Sequence, residues 1–296
     1  MNELRLRRSE LSTPGSSEKM LAKAAASDAD LVFCDLEDSV APNQKDQARE
    51  NVTRALNDLD WGDKTRAVRI NGVHTPWWRD DVTQVVKNAP VQVIIIPKVR
   101  TADDVQTIDA LVSQLGDKPV ALEVLIEETE ALVNVDEIAR ASERLEALIF
   151  GPGDFSASQG IRWAMAKEAS YPGDIWAYHR SRIVVAARAA GIDAIDGPFA
   201  NFRDADGYRT EAARAALIGF VGKWAIHPNQ IAIANDVFSP KPEEVKAARE
   251  LVDAYAKSEA EGEGAAGMGG VMIDAATARI MDGVLRRAAL IERAGR

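Results

Sequence analysis

Residues 91–98 read Val91-Gln92-Val93-Ile94-Ile95-Ile96-Pro97-Lys98. The run Val93–Ile96 is apolar on both faces, which suits a strand covered on both sides by other elements, as in a parallel sheet. The same kind of short run recurs on either side of it. Strands are expected at Glu10–Thr13, Leu31–Asp35, Arg66–Ile70, Val91–Pro97, Ala121–Ile126, Ala147–Phe150, Ala194–Ile195 and Val221–Ile226. Most of the intervening segments have helical patterns: Ser17–Ala26, Gln44–Leu56, Trp77–Lys87, Ala102–Leu115, Thr129–Ala141, Ile175–Ala190 and Asp204–Leu217. Strict alternation of strand and helix predicts a parallel sheet. Eight such units in roughly 235 residues fit a closed (β/α)8 TIM barrel of the α/β class better than an open doubly wound sheet. The turn Thr13-Pro14-Gly15-Ser16 after the first strand is not the GxGxxG of a dinucleotide fold, which favours the barrel further.

The pattern changes after Phe238-Ser239-Pro240. Residues 241–258 read as a helix, and the glycine-rich stretch 261–270 reads as a flexible hinge. The last helix, Ala275–Arg293, carries Ile280, Met281, Val284, Leu285, Ala288 and Ile291 on one stripe. The expected organisation is therefore a catalytic barrel over 1–238 and a C-terminal helical lid over 239–296. A frayed tail is the alternative for the second segment.

Composition narrows the function classes. The 296 residues hold 36 Lys+Arg against 46 Asp+Glu, a net charge of −10 without basic runs, which argues against a nucleic-acid partner. The hydrophobic content of 46% with 28% charged residues is that of a globular chain. A single cysteine, Cys34, excludes an intrachain disulfide and a cysteine-based zinc cluster. No leader pattern follows Met1, and no run approaches the ~20 apolar residues that span a bilayer. A reduced, cytoplasmic protein with no membrane partner is expected.

Function in a barrel sits at the carboxyl ends of the strands. Those ends read Asp35-Leu36-Glu37-Asp38, Arg69-Ile70-Asn71-Gly72, Pro97-Lys98, Glu127-Glu128, Gly151-Pro152-Gly153-Asp154, Asp196-Gly197 and His227-Pro228. Carboxylates gathered around one axis repel unless a cation neutralises them. With three histidines and no cysteine cluster, that cation is a hard one, magnesium or manganese. Plainer roles stay open: Asp38, Glu128 or Asp154 as helix caps, Lys98 as a rim ion pair, His227 as a loop fastener. Arg69 is harder to set aside, because a charge inside a buried strand needs a partner or an anionic ligand. His74 and His179 read as surface residues, and the six tryptophans as core or interface without a stacking arrangement.

At these residues the chain resembles the HpcH/HpaI aldolase/citrate lyase (citrate lyase β-subunit-like) family, and within it the malyl-CoA lyases. The segments that carry the likeness are 35–42 (DLEDSVAP), 68–72 (VRING), 95–99 (IIPKV), 123–127 (EVLIE), 196–199 (DGPF) and 222–228 (GKWAIHP). The resemblance implies a (β/α)8 barrel and a magnesium-dependent, reversible Claisen-type cleavage of L-malyl-CoA to acetyl-CoA and glyoxylate, with β-methylmalyl-CoA as a further substrate. It implies that Glu127 and Asp154 bind the metal, and that Gly153 and Asp154 help hold the substrate. Arg69 would bind the thioester oxygen, and Glu37 and Asp38 would hold metal-bound water and the hydrogen-bond network. Asp274 would be a catalytic acid delivered into a neighbouring subunit, making the protein a homotrimer or homohexamer. Thr13, Pro14 and Lys23 would hold coenzyme A. Ser17 departs from the pattern, since malyl-CoA lyases place arginine there, and Lys19 with Lys23 would stand in for it. The Ser158–Trp176 segment is also shorter than in malyl-CoA lyases. Citramalyl-CoA lyase, malyl-CoA thioesterase and citrate lyase β-subunit activities remain alternatives, as does a non-catalytic acyl-CoA-binding barrel.

Overall fold

The computed structural model describes residues 5–162, 174–262, 265–268 and 271–295. They fall into two compact units, one spanning Arg7–Asp236 and one running from Val237 onward. Among the described residues no helix is long and apolar enough to cross a membrane.

The first unit is a closed barrel of parallel strands: β1 (Ser9–Pro14), β2 (Leu31–Asp35), β3 (Thr65–Arg69), β4 (Val93–Ile96), β5 (Ala121–Ile126), β6 (Leu145–Phe150), β7 (Asp193–Asp196) and β8 (Gly222–Ala225). Strand β1 pairs with β8 through Glu10↔Trp224 and closes the ring. The helices are α1 (Glu18–Ala25), α2 (Lys45–Asp58), α3 (Trp78–Asn88), α4 (Ala102–Gln114), α5 (Thr129–Val133), α6 (Val135–Ile138), α7 (Pro152–Ser158), α8 (Ala177–Ala190), α9 (Ala205–Ile218) and α10 (Ile231–Val237). All residues of β2, β4 and β5 are buried, as their two-faced apolar runs require. The barrel interior is filled by Leu31, Phe33, Val93, Ile95, Leu125, Ile149, Ile195 and Trp224. Gly222 is obligatory at the start of β8, because a Cβ there would lie 1.7 Å from the Arg7 carbonyl oxygen.

Two expectations change. The single helix expected over Thr129–Ala141 is broken at Asn134, which ends α5, starts α6 and donates its side-chain amide to the Arg100 carbonyl at 3.0 Å. His179 is buried rather than on the surface. It lies among Phe155, Trp176 and Phe150, and its Nε2 bonds Gln159 Oε1 at 2.8 Å. Burial holds its pKa below the usual imidazole value.

The second unit contains α11 (Pro242–Ala260), a two-stranded antiparallel sheet of β9 (Ala266–Met268) and β10 (Val271–Ile273), and α12 (Ala275–Arg293) packed on α11. Part of the stretch read as a flexible hinge is thus strand β9; positions 263–264 and 269–270 of it lie outside the described residues. So does most of the Ser158–Trp176 segment, Trp163 included.

The amino-terminal floor of the barrel is ionic. Arg7 is fully buried, its Nε bonding Glu123 Oε1 at 2.9 Å with Glu146 and Asp193 on its other nitrogens. Glu10 Oε2 accepts from Trp224 Nε1 at 2.9 Å, while Glu10 Oε1 is buried without a hydrogen bond. Burial, reinforced by the charge of Glu123, pushes the Glu10 pKa well above the carboxylate range. A carboxyl raised in the fold opposes folding once the pH exceeds its unfolded value of roughly 4.3. Glu10→Gln keeps an acceptor for Trp224 and removes that charge. It is expected to stabilise the protein at pH 8 by about 1–3 kcal/mol, with the gain shrinking toward pH 4, as read from denaturant midpoints at several pH values.

Candidate active site at the carboxyl ends of the strands

Asp35 and Arg69 are the last residues of β2 and β3 and lie opposite each other in the parallel register. Adjacent strand ends therefore place a carboxylate beside a guanidinium. Arg69 Nε and Nη2 donate to the two Asp35 oxygens, each at 2.7 Å, in a planar two-point pair. The same carboxylate accepts from Glu37 N at 2.9 Å and Ser39 N at 3.1 Å, folding the loop after β2 over the barrel mouth. Lys45, from the start of α2, ties down the same loop by donating to the Leu36 and Glu37 carbonyls, both at 2.8 Å. Burial alone would raise the Asp35 pKa; the charge and hydrogen bonds of Arg69, with those of Ser39 and Glu37, outweigh it and hold the carboxyl below its usual range. The Arg69 guanidinium also lies over the rings of Trp224 and Phe33, at 5.5 and 5.9 Å. Trp224 in turn meets Phe33 with ring centroids 4.4 Å apart and planes tilted by 39°, a core contact.

Glu37 projects from the fastened loop. Its Oε2 lies 3.2 Å from Arg69 Nη1 in an ion contact whose angles are not those of a hydrogen bond, and this buried oxygen has no hydrogen-bond partner. Glu127, immediately after β5, is buried and accepts from the backbone N–H of Lys98 at 2.8 Å. Asp154 stands in the first turn of α7, half exposed, following the Gly151-Pro152 start of that helix. The cap of α7 is Gly151 rather than Asp154. Its lack of a side chain is required, since a Cβ would come within 2.5 Å of the Glu127 Cβ and 2.9 Å of its Oε2.

Lys98 joins these groups. Its Nζ pairs closely with Asp154 Oδ1 and is 3.9 Å from each of Glu37 Oε1, Asp38 Oδ2 and Glu127 Oε1. Four carboxylates from three loops therefore face one cation. Burial, with the charges of Asp38 and Glu127 adding to it, raises the Glu37 pKa to about 8 despite Arg69 and Lys98. Burial likewise raises Glu127 to about 7, against the opposing effects of Lys98 and Arg69.

These oxygens suit a hard divalent ion. They already converge on an ammonium, and Glu37 Oε2 is an acceptor left unused. Among the described residues no three acidic, His or Cys side chains have closed on one point at metal-binding distance, the Lys98 ammonium standing between them.

The other expected residues stand on several elements. Thr13 and Pro14 end β1, with Pro14 opposite Asp35 in the register. Ser17 caps α1, accepting from Met20 N at 3.4 Å, and Lys19 and Lys23 are exposed on that helix. Gly153 lines a cleft of about 400 Å³ with Ser156, Ala157 and Ile161. Asp274 belongs to the second unit. It caps α12, its Oδ1 accepting from Thr277 N at 2.9 Å and Thr277 Oγ1 at 3.0 Å, and these bonds hold its pKa low. His74 is exposed, 3.5 Å from Asp104.

A further buried ionic cluster, around Asp196, was not anticipated. Lys223 in β8 donates to Asp196 Oδ2 and Glu211 Oε1 at 2.6 Å and to the Gly197 carbonyl at 2.7 Å. Arg180 from α8 bonds Asp196 Oδ1 at 2.8 Å and Asp174 Oδ2 at 2.8 Å. The signal was the one that marked Arg69, a charge inside an apolar strand run, here Val221-Gly222-Lys223-Trp224.

With this geometry established, comparison with known proteins places the chain. The family model described as HpcH/HpaI aldolase/citrate lyase matches residues 8–228, nearly the whole barrel unit. The chain belongs to that family. It is accordingly a carbon–carbon lyase in class. An L-malyl-CoA/β-methylmalyl-CoA lyase of Cereibacter sphaeroides is 42% identical, over 96% of this chain and 95% of that one. A (3S)-malyl-CoA thioesterase of the same species is 36% identical, over 90% and 89%. Among solved members of the family, the CitE protein of Mycobacterium tuberculosis in complex with magnesium, acetoacetate and coenzyme A is 30% identical, with a TM-score of 0.77 over 95% of this chain and 97% of that one.

The pair Asp35–Arg69 is buried and two-pointed, so its loss is expected to be costly. Asp35→Asn leaves a buried guanidinium without its counter-charge and is expected to destabilise the barrel by about 3–5 kcal/mol. Because the Asp35 pKa is lowered in the fold, its contribution is complete above the unfolded value near 3.9 and is lost as the pH falls through the folded one. Wild type and Asp35→Asn should therefore converge in strong acid, which thermal melts at pH 7 and pH 2–3 would test.

Proposed function

We propose that this chain is a magnesium-dependent acyl-CoA lyase that cleaves L-malyl-CoA reversibly to acetyl-CoA and glyoxylate, and β-methylmalyl-CoA to propionyl-CoA and glyoxylate. The observation that carries the reading is the convergence of Glu127 and Asp154 on one cation at the barrel mouth, with Arg69 joined to that focus through Glu37. The 42% identity to a lyase of that name supports the choice of substrate.

Glu127 and Asp154 would hold the ion, with Glu37 and Asp38 ordering the water around it. When bound, magnesium lowers the pKa of a coordinated hydroxyl and polarises a carbonyl oxygen. Cleavage breaks the bond between the hydroxyl-bearing carbon and the carbon next to the thioester. The hydroxyl proton passes to a water molecule at the barrel mouth, glyoxylate separates, and the bonding electron pair moves onto the thioester as an enolate. Two of the Arg69 nitrogens are committed to Asp35, so the guanidinium cannot rotate, and Nη1 remains to donate to the enolate oxygen. A carboxyl group then protonates the enolate carbon to give acetyl-CoA. Asp274 is assigned that role, supplied by a neighbouring subunit of a trimer or a hexamer built from trimers. Thr13, Pro14, Lys19 and Lys23 along the β1–α1 rim would hold coenzyme A, and Gly153 would leave space for the acid end of the substrate. Manganese would replace magnesium, and the enzyme would work in the cytoplasm.

Glyoxylate is expected from malyl-CoA with magnesium and none after chelation. Arg69→Gln should lower kcat/KM about a hundredfold, by analogy with loss of an oxyanion-hole donor. Asp274→Asn should keep fold and coenzyme A binding but lose most turnover. Free thiol and malate without glyoxylate would instead indicate a thioesterase, the activity named for the 36% identical relative.

A further inference from the structure

Lys98 does more at this rim than an ordinary surface ion pair does. It is the one non-glycine residue among those described with a left-handed backbone, at φ 54°. Such a conformation is disfavoured for a side chain of this kind and persists where the surroundings over-determine it. Here both ends of the residue are engaged by acids of the proposed metal site. Its backbone N–H is bonded to Glu127, and its ammonium to Asp154. The ammonium is equally far, 3.9 Å, from single oxygens of Glu37, Asp38 and Glu127. A rim ion pair satisfies one carboxylate; this ammonium pairs with Asp154 and has three more carboxylates at 3.9 Å.

We propose that Lys98 is the internal counter-cation of this site: its ammonium balances Glu37, Asp38, Glu127 and Asp154, and competes with the divalent ion for them. The inference rests on the metal-site reading above and adds a residue that sets the affinity for the ion. One positive charge against four carboxylates leaves the site strongly anionic, so a divalent ion is still drawn in. Two cations cannot share the focus of the same oxygens without repulsion in a partly buried setting. Entry of the ion therefore displaces the ammonium toward Glu37 and the exposed Asp38. The left-handed backbone fixes where the lysine stem starts, while its length lets the head move. The competition keeps the acids from repelling one another before the ion binds, at a cost in ion affinity.

The test is a Mn2+ titration followed by electron paramagnetic resonance, on wild type, Lys98→Met and Lys98→Gly, with Glu127→Gln as the control that removes an ion ligand. Glycine adopts the left-handed conformation without strain, so that variant carries the test if the methionine one does not fold. Both neutral variants should bind Mn2+ about tenfold more tightly than wild type, or better. Their thermal midpoints should be lower than wild type without metal and should rise further on adding it. Equal or weaker Mn2+ binding by folded Lys98→Met or Lys98→Gly would overturn the proposal and make Lys98 a partner of the ion rather than its competitor. Wild type that binds Mn2+ no better than Glu127→Gln would instead remove the metal-site reading itself.

Discussion

The barrel mouth gathers five carboxylates, of which Asp35, Glu37 and Glu127 are buried, and the Asp35–Arg69 pair fixes the frame that holds them. A two-point pair between the last residues of adjacent strands converts an unfavourable buried arginine into a fixed element of the wall. Because Asp35 also accepts from Glu37 N and Ser39 N, the same carboxylate dictates the path of the loop after β2 and hence the position of Glu37. Lys45 fastens that loop from the other side. The direction in which Arg69 presents Nη1 toward Glu37 follows from its two bonds to Asp35.

The fold was legible in the sequence because a parallel barrel writes itself as apolar runs ending in charge. Val93–Ile96 followed by Lys98, and Ala121–Ile126 followed by Glu127, locate both the strands and the rim that carries Arg69, Glu127 and Asp154. What was not legible depends on pairing across the barrel. Nothing local distinguishes Asp35, whose two oxygens are hydrogen-bonded by Arg69, from Glu37 two residues later, which meets Arg69 only in an ion contact. Lys223 meets Asp196 across the register of β7 and β8, and Arg180 reaches it from α8, so the cluster depends on how neighbouring elements align. Asn134 reads as an ordinary helix residue until the Arg100 carbonyl is seen to draw its side chain out. His179 sits in step with Ile183 and Ala187 along α8, a spacing that in hindsight marks a buried stripe.

Burial by itself does not separate functional from structural charge here, since Asp196 and Glu127 are equally enclosed. What separates them is how completely their oxygens are used. Asp196 accepts from Arg180 and Lys223, and despite burial its pKa is held below the usual range by those two cations. Asp35, bonded by Arg69, Glu37 N and Ser39 N, behaves the same way. Glu37 and Glu127 have fewer donors than their burial demands, and burial raises both. A carboxylate that is desolvated and not fully bonded is unstable as an anion unless a further cation arrives. The ionic clusters around Asp196 and around Lys98 thus differ in kind: the first is complete within the chain, and the second is built with charge to spare. That excess sits where a parallel barrel binds its ligands, at the carboxyl ends of the strands. On the reading proposed above, this imbalance rather than the number of acids is what would draw a cation to the rim.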